Sequence, residues 1–360
     1  MEVGYFTMPL HPPGSNLTKT LEDDLEQIVM LDKLGYKEAW IGEHFTAKWE
    51  NIPAPDIFIA HALALTNRII LGTGVTCMPN HNPFMIAHRI AQLDHIAKGR
   101  FQWGVGSGGF PGDFEVFGFD PSTGEQRQMT SEALDLVLKI WDDPKPGTYE
   151  SKYWKFTIPE PEDDIGLGFH VKPYQLPHPP IAVAGVSEKS ETLVLAGQRG
   201  WIPMSINIVP KRVIKTHWDM IEQSADAVGR TADRSIWRVA REIYISDTSS
   251  IARKEALEGV MTRDFRDYFL RSLPRAKLLD LMKQDKSMAD SDVTPEYLVD
   301  NIMIVGSQEE VTEKLSDLYQ EVGGFGTLLA MGHEWSPKEQ WINSMNILAK
   351  EVVPKLSGLS

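Results

Sequence analysis

The sequence predicts a single α/β barrel of the (β/α)8, or TIM, type with insertions after its fourth and seventh strands. Three observations carry that expectation. Strand-like and helix-like segments alternate along the chain in about eight strand–helix units, the number that closes such a barrel. The strand segments are continuous apolar runs, as in a parallel sheet covered by helices. A chain of 360 residues with 42% hydrophobic content can also bury a large core. Length alone fits two ordinary domains equally well, but the alternation resumes after each interruption, so residues 1–360 read as one barrel domain.

Residues 3–8 form the first strand, and apolar residues at helical spacing follow over 18–34. The second strand is 38–42, and Pro55 opens the second helix, where a proline fits the first turn. The β-rich run 68–75 is the third strand and Pro83 begins its helix. The fourth unit pairs strand 100–106 with helix 127–141, and the fifth pairs strand 180–185 with helix 187–198. Strand 201–206 precedes a helix from Pro210, strand 237–246 is the seventh, and 308–321 is its helix. Strand 326–331 and helix 337–352 complete the set. The Pro-rich, acidic stretch 142–179 and the largely helical 248–301 are the two insertions. The second carries Phe265, Tyr268, Phe269 and Leu270, which suit either a lid over a pocket or a fixed extra helix.

Composition excludes several functions. Fifty acidic residues against 36 basic ones give a formal charge of −14, which disfavours nucleic acid and anionic membrane as partners. The single Cys77 excludes an internal disulfide and a Cys-rich zinc site. Glu2 stands where a secretory signal needs positive charge, and no run reaches the ~20 apolar residues of a spanning helix, so the expected location is the cytoplasm. A metal-dependent barrel hydrolase would want paired histidines on the first strand. Only His11 is near, so no metal site is expected.

In this fold, chemistry sits on loops at the C-terminal ends of the strands. Glu43 and His44 end the second strand, either as a working acid and imidazole or as a satisfied structural pair. Glu43 would then fix the His44 tautomer or belong to the packing. His81, Asn207 and His333 also fall at strand ends, as pocket wall or plain loop. "GVGSGG", 104–109, matches the dinucleotide G-x-G-x-x-G by letter. It follows the fourth strand, however, and Pro111 and Gly112 oppose the immediate helix that the fingerprint needs. Its glycines still allow close approach to a planar ligand. In "AVAGVSEKSE", 182–191, Gly185 turns and Ser187 and Ser190 stand where a helix begins. That start would bind a phosphate through free N–H groups or simply be capped by serine.

The pieces "GEHF" (42–45), "LGTGVTCMPNHNP" (71–83), "LDHIAKGRFQWGVGSG" (93–108), "DFEVFG" (113–118), "VGSQEEVTEKL" (305–315) and "GGFGTLLA" (323–330) form an ordered set. Through them the chain resembles, almost end to end, the bacterial-luciferase-like flavin monooxygenases. "WENIPAP" (49–55) and "NIMIVGS" (301–307) look most like the oxygenating components of diketocamphane monooxygenases. Those are type II Baeyer–Villiger enzymes that take reduced FMN from a separate flavin reductase.

The resemblance implies FMN at the C-terminal face of the barrel, O2 as oxidant, a small hydrophobic substrate such as a cyclic ketone turned into a lactone, and a homodimer. His44 matches the family's active-site histidine and would exchange a proton there. A non-prolyl cis peptide would fall at Gly74–Val75, with Val75 behind the flavin, and the phosphate would lie over Gly185, Val186, Ser187 and Ser190. Ser107 departs from the pattern, because luciferase has a phosphate-binding arginine at this position. Helix-start N–H groups, another cation such as Lys189, or weak FMN binding would each answer that departure. The family leaves open oxidation of aldehydes, terpenes or sulfur compounds, a deazaflavin-dependent oxidoreductase, and a non-catalytic subunit of the same fold.

Overall fold

The computed structural model describes residues 1–356 and residue 358. Eight parallel strands close on themselves: β1 (Glu2–Thr7), β2 (Glu38–Ile41), β3 (Ile70–Thr73), β4 (Phe101–Gly106), β5 (Ile181–Gly185), β6 (Ile202–Ser205), β7 (Arg238–Arg241) and β8 (Thr327–Met331). Hydrogen bonding runs β3–β2–β1–β8–β7–β6–β5–β4, and pairing of Leu71 with Phe101 and of Gly72 with Gln102 closes the ring. Helices α1 (Leu17–Leu34), α2 (Pro55–Leu65), α3 (Pro83–Ala97), α4 (Glu125–Asp142), α5 (Thr192–Arg199), α6 (Lys211–Asp226), α7 (Gln308–Val322) and α8 (Lys338–Ile347) surround it. All eight barrel strands lie where the apolar runs predict them.

Four details differ from the sequence reading. A short helix, Pro111–Phe117, does follow β4, because proline lacks the N–H that the first turn leaves unpaired and its φ already suits a helix. α5 starts at Thr192 and not at 187, since Lys189 holds a left-handed φ of 53° that no helix accepts. The seventh strand breaks at Glu242. Residues Ile243–Ile245 leave the barrel and pair in parallel with Ile304–Gly306, which ties the two ends of the 248–301 insertion together. The first insertion is an antiparallel hairpin, Gly147–Glu150 with Lys155–Ile158, followed by an irregular return to β5.

Alternate residues of each strand point into the barrel. Trp40, Ala182, Ile202, Met204, Ala240, Leu329 and Met331 form the inner cluster, with Phe6, Val75 and Ala184 against it. At the end where the strands begin, Arg238 donates to both oxygens of Glu38 at 3.0 and 2.8 Å, and the Trp40 indole donates to Glu38 at 2.8 Å. These two buried charges thus keep a full set of partners in a space without water. Trp40 also explains the glycines opposite it, since a Cβ on Gly72 would run into its ring.

Gly104 is tighter still, because a Cβ there would collide with the backbone carbonyl oxygen of Thr73, which has no flexible side chain to move. The first glycine of the "GVGSGG" stretch therefore serves strand packing. Gly104→Ala is expected to lower stability by roughly 1–3 kcal/mol or more, the cost of overpacking a filled core. Equilibrium urea unfolding reads this, and a wild-type midpoint would show that β3 and β4 separate freely.

Candidate active site

Gly42 follows β2 and donates its N–H to the Thr7 carbonyl at 2.9 Å, and the chain then enters a loop that returns at α2. Gly42 leaves room here for the tip of the Met8 side chain, which a Cβ would displace. His44 stands on the loop with a carboxylate facing each ring nitrogen. Nε2 lies 3.1 Å from Glu50 Oε2, and Nδ1 lies 3.4 Å from Asp113 Oδ2. Burial works against the imidazolium, but the Glu50, Asp113 and Glu43 carboxylates outweigh it and raise the His44 pKa above the ordinary histidine value.

Asp113 reaches His44 from the first turn of the short helix Pro111–Phe117. It accepts from the Thr46 N–H at 2.9 Å, the Thr46 hydroxyl at 2.6 Å and the Phe45 N–H at 3.2 Å. Burial alone would raise its pKa, yet these donors and His44 hold it below the usual carboxylate range. Glu50 is fixed from its other side by the Tyr268 hydroxyl, which donates to Oε1 at 2.6 Å. Burial and this carboxylate push the Tyr268 phenol far above its ordinary pKa, so it stays a donor. Trp49 stacks on the Tyr268 ring at 5.6 Å, and Phe110 covers the His44 ring at 5.2 Å.

The sequence reading missed Glu50 and Asp113, and it named Tyr268 only as a lid or packing residue of the insertion. Glu50 and Asp113 lie inside "WENIPAP" and "DFEVFG", so the signal was present without its meaning. Tyr268 is 224 positions after His44, and nothing in the chain points from one to the other.

Glu43 does not hold His44. Its buried carboxylate faces His81 Nε2 at 2.9 Å and accepts from the Cys77 N–H at 3.3 Å, tying the loop after β3 to the loop after β2. Burial and then Glu43 push the Cys77 thiol well up, so it is an inert packing group. The Gly74–Val75 peptide is cis, and half-buried Val75 sits over Gly106, where a Cβ would come 2.6 Å from Val75 Cγ2.

Three strands round the ring from β2, the loop after β5 has a different character. Among the described residues, the N–H groups of Ser187, Glu188 and Glu191 donate to nothing. The Ser187 carbonyl is held by His217 Nε2–H at 2.9 Å, while His217 Nδ1 faces the Ser205 hydroxyl at 2.9 Å. Burial and Arg241 lower the His217 pKa to about 4, which keeps the ring neutral and this tautomer in place. Ser190 is buried. Thr192 donates its hydroxyl proton to the Ala184 carbonyl, so Ser190 donates to Thr192 at 3.1 Å and accepts from the Val186 N–H at 3.4 Å. It therefore shapes the loop and has no proton left for a ligand, whereas Ser187 is exposed. Ser107 accepts from the Thr130 hydroxyl at 3.0 Å, and one turn earlier on α4 Arg127 reaches Glu191 at 3.2 Å. A guanidinium thus stands beside the loop although position 107 lacks one.

Asn207 and His333 meet at the same rim. The His333 ring is sandwiched between Glu242 Oε2 at 2.6 Å and Asp264 Oδ2 at 2.8 Å, and Asn207 donates to Glu242 Oε1 at 2.5 Å. Burial opposes the charge, but the Glu242 and Asp264 carboxylates push the His333 pKa up to about 10. Asp264 belongs to the long insertion, and Val260, Met261, Phe265, Leu279 and Met282 of that insertion are buried with it. The residues around the barrel mouth are thus packed in place, and the fixed-helix reading suits 260–265 better than the lid. Among the described residues, no group of His, Cys, Asp and Glu is arranged to hold a metal ion, and no helix is long and apolar enough to cross a membrane.

Similarity to known proteins agrees with this geometry. The family described as luciferase-like monooxygenase matches residues 1–324. The chain is 34% identical to 4-hydroxyprotoasukamycin monooxygenase of Streptomyces nodosus subsp. asukaensis, over 99% of this chain and 92% of that one. It is 31% identical to 3,6-diketocamphane 1,6-monooxygenase of Pseudomonas putida, over 99% and 98% respectively. Its fold superposes with a TM-score of 0.91 at 32% identity on a solved type II Baeyer–Villiger monooxygenase, the oxygenating constituent of 3,6-diketocamphane monooxygenase from Pseudomonas putida in complex with FMN. That alignment covers 99% of this chain and 98% of the other. On this evidence the chain belongs to the luciferase-like monooxygenase family and is a flavin-dependent monooxygenase.

Proposed function

We propose that the protein is the oxygenating component of a two-component system. In this reading it takes reduced FMN from a separate flavin reductase and uses O2 to oxygenate a small hydrophobic substrate, most consistently a cyclic ketone to a lactone. The reading places this on one barrel domain spanning 1–360, in the cytoplasm. The observation that carries it is the placement, on one barrel rim, of a half-buried His44 imidazole between two carboxylates and a loop with free N–H groups at Ser187, Glu188 and Glu191.

The residues present fit FMN. Free N–H groups and the start of α5 suit a phosphate over Gly185, Val186 and Ser187, with Ser190 holding the loop in shape. Ser107 and Arg127 lie on the α4 side of that site, and Arg127 supplies the cation that position 107 does not. Val75 offers an apolar platform for the ring, and Gly109 has open space around it. When bound, reduced FMN supplies the electrons that activate O2. His44 holds a proton at the rim and gives or takes it there, while Phe110 covers its ring on one side. Exposed apolar side chains on neighbouring helices, Ile57 (67%) on α2 and Met85 (63%) on α3, support a homodimer through that face.

Arg127 is an exposed cation already paired with Glu191, so the phosphate hold is modest. Reduced FMN is therefore expected to bind more tightly than oxidised FMN, as exchange with a reductase requires. Anaerobic and aerobic titrations read this, and oxidised FMN that survives purification would count against a two-component system. The function itself is tested by supplying FMN, a flavin reductase and NADH with a panel of cyclic ketones, aldehydes and thioethers. Oxygen-dependent lactone formation supports the reading. Turnover with a deazaflavin and none with FMN would overturn it.

A further inference from the structure

Neither nitrogen of the His44 ring is free. Asp113 accepts from Nδ1–H, and Glu50 Oε2 stands 3.1 Å from Nε2 as an ion-pair partner with no hydrogen bond of its own, so the charges on both sides favour the imidazolium. Glu50 is only 6% exposed, so water does little to moderate its charge. Its second oxygen is taken by Tyr268, which sits in the π-helical turn Phe265–Phe269 of the long insertion. An inserted π turn re-aims side chains relative to a regular helix, and such turns recur at functional sites. The turn is held from behind by fully buried Phe265 and by Asp264 on His333, and from the front by Trp49 stacked on Tyr268. Trp49 and Glu50 are consecutive, so the loop after β2 presents both a ring and a carboxylate to one tyrosine.

We propose that Glu50 and Tyr268 are positioning residues for His44. Tyr268 fixes Glu50, and Glu50, opposite Asp113, favours the protonated imidazole through its charge. The inference rests on His44 being the proton-exchanging group of the proposed reaction. It assigns a role to an insertion residue far from the barrel strands. Groups that face His44 are Glu50 on its own loop, Asp113 from the helix Pro111–Phe117, and Glu43 one residue before it, with Tyr268 behind Glu50.

The test reads the His44 ring by 15N NMR across pH in the full chain without flavin or substrate, and separately the pH profile of oxygenation. Glu50→Gln and Tyr268→Phe are nearly isosteric, and their thermal melts check folding. In Glu50→Gln the His44 pKa is expected to fall by about one to three units, the effect of losing one close carboxylate. One ring nitrogen then shows the unprotonated shift near pH 7, and the matching limb of the pH profile moves with it. In Tyr268→Phe the carboxylate keeps its charge, so the titration stays within about one unit, while kcat falls about tenfold or less with KM unchanged. A wild-type His44 titration in Glu50→Gln overturns the role of Glu50. Wild-type kcat and ring signals in Tyr268→Phe overturn that of Tyr268. Because the NMR titration needs no flavin, failure of the proposed function appears separately, as no oxygenation by wild type while Glu50→Gln still shifts the ring.

Discussion

Replacing His44 with alanine is expected to cut oxygenation about 10²-fold or more, within the range for loss of a general acid–base group, and to leave the barrel folded. Retention of the fold follows from the partners that remain. Asp113 still accepts from Phe45 N–H and from the backbone and hydroxyl of Thr46, and Glu50 still accepts from Tyr268. Asp113 stays satisfied and Glu50 keeps Tyr268 on Oε1, so the cost is the loss of the ring's contacts and of the charge facing Glu50 Oε2. What disappears is the only group at this corner that can hold a proton between them. Product per NADH consumed should fall while hydrogen peroxide released to solvent rises, because reducing equivalents continue to reach O2. Circular dichroism and a melting curve separate this from unfolding. A variant with wild-type rate and coupling would make His44 a strand-end residue with no part in the chemistry.

His333→Leu is expected to lower stability by about 3–5 kcal/mol, the cost of removing one partner from a buried ion pair. The ring is the cation that Glu242 and Asp264 share, all three side chains are buried, and Asp264 keeps a second cation, Arg263, at 2.7 Å on its other oxygen. Without it, Glu242 loses its cation and faces an Asp264 carboxylate that only Arg263 still pairs, in a space shielded from water. Linkage gives the effect a pH signature. The folded pKa of about 10 lies above the ordinary 6.5, so the stabilisation is full below about pH 6.5 and is lost as pH rises through about 10. Urea unfolding should therefore show a large gap between wild type and variant at neutral pH that narrows on the alkaline side. Asp264 anchors the insertion through this ring, so the variant should also be cut sooner by protease within 248–301. A loss below about 1 kcal/mol, with unchanged protease resistance, would show that apolar packing alone holds the insertion.

Period and punctuation in the chain were enough to place every barrel strand, because a strand buried on both faces must be a continuous apolar run and its helix must follow within a short loop. His44 was legible for the same reason, as a polar residue at the exit of such a strand. The helix at Pro111 was not, since a proline that opposes a helix from inside favours one from its first turn, and the letters are the same in both cases. The break at Glu242 was equally hidden. Apolar residues continue to Ile245 on either side of it, and only the competing pairing with Ile304–Gly306 draws the chain out of the barrel.

The site divides along the same line. The sequence by itself determined the barrel and the rim position of His44, because each depends on a local pattern, while the loop at 186–190, where the sequence predicts helix from 187, was decided by the left-handed turn at Lys189. Tertiary structure decided that Glu43 serves His81 and Cys77 while Glu50, Asp113 and Tyr268 serve His44, and that Arg127 meets the loop at Glu191. Adjacent residues on an extended chain point to opposite sides, so the acid beside a histidine in sequence is the one least able to reach it. The acids that do reach it come from wherever folding closes a loop, across separations of 6, 69 and, through Tyr268, 224 residues.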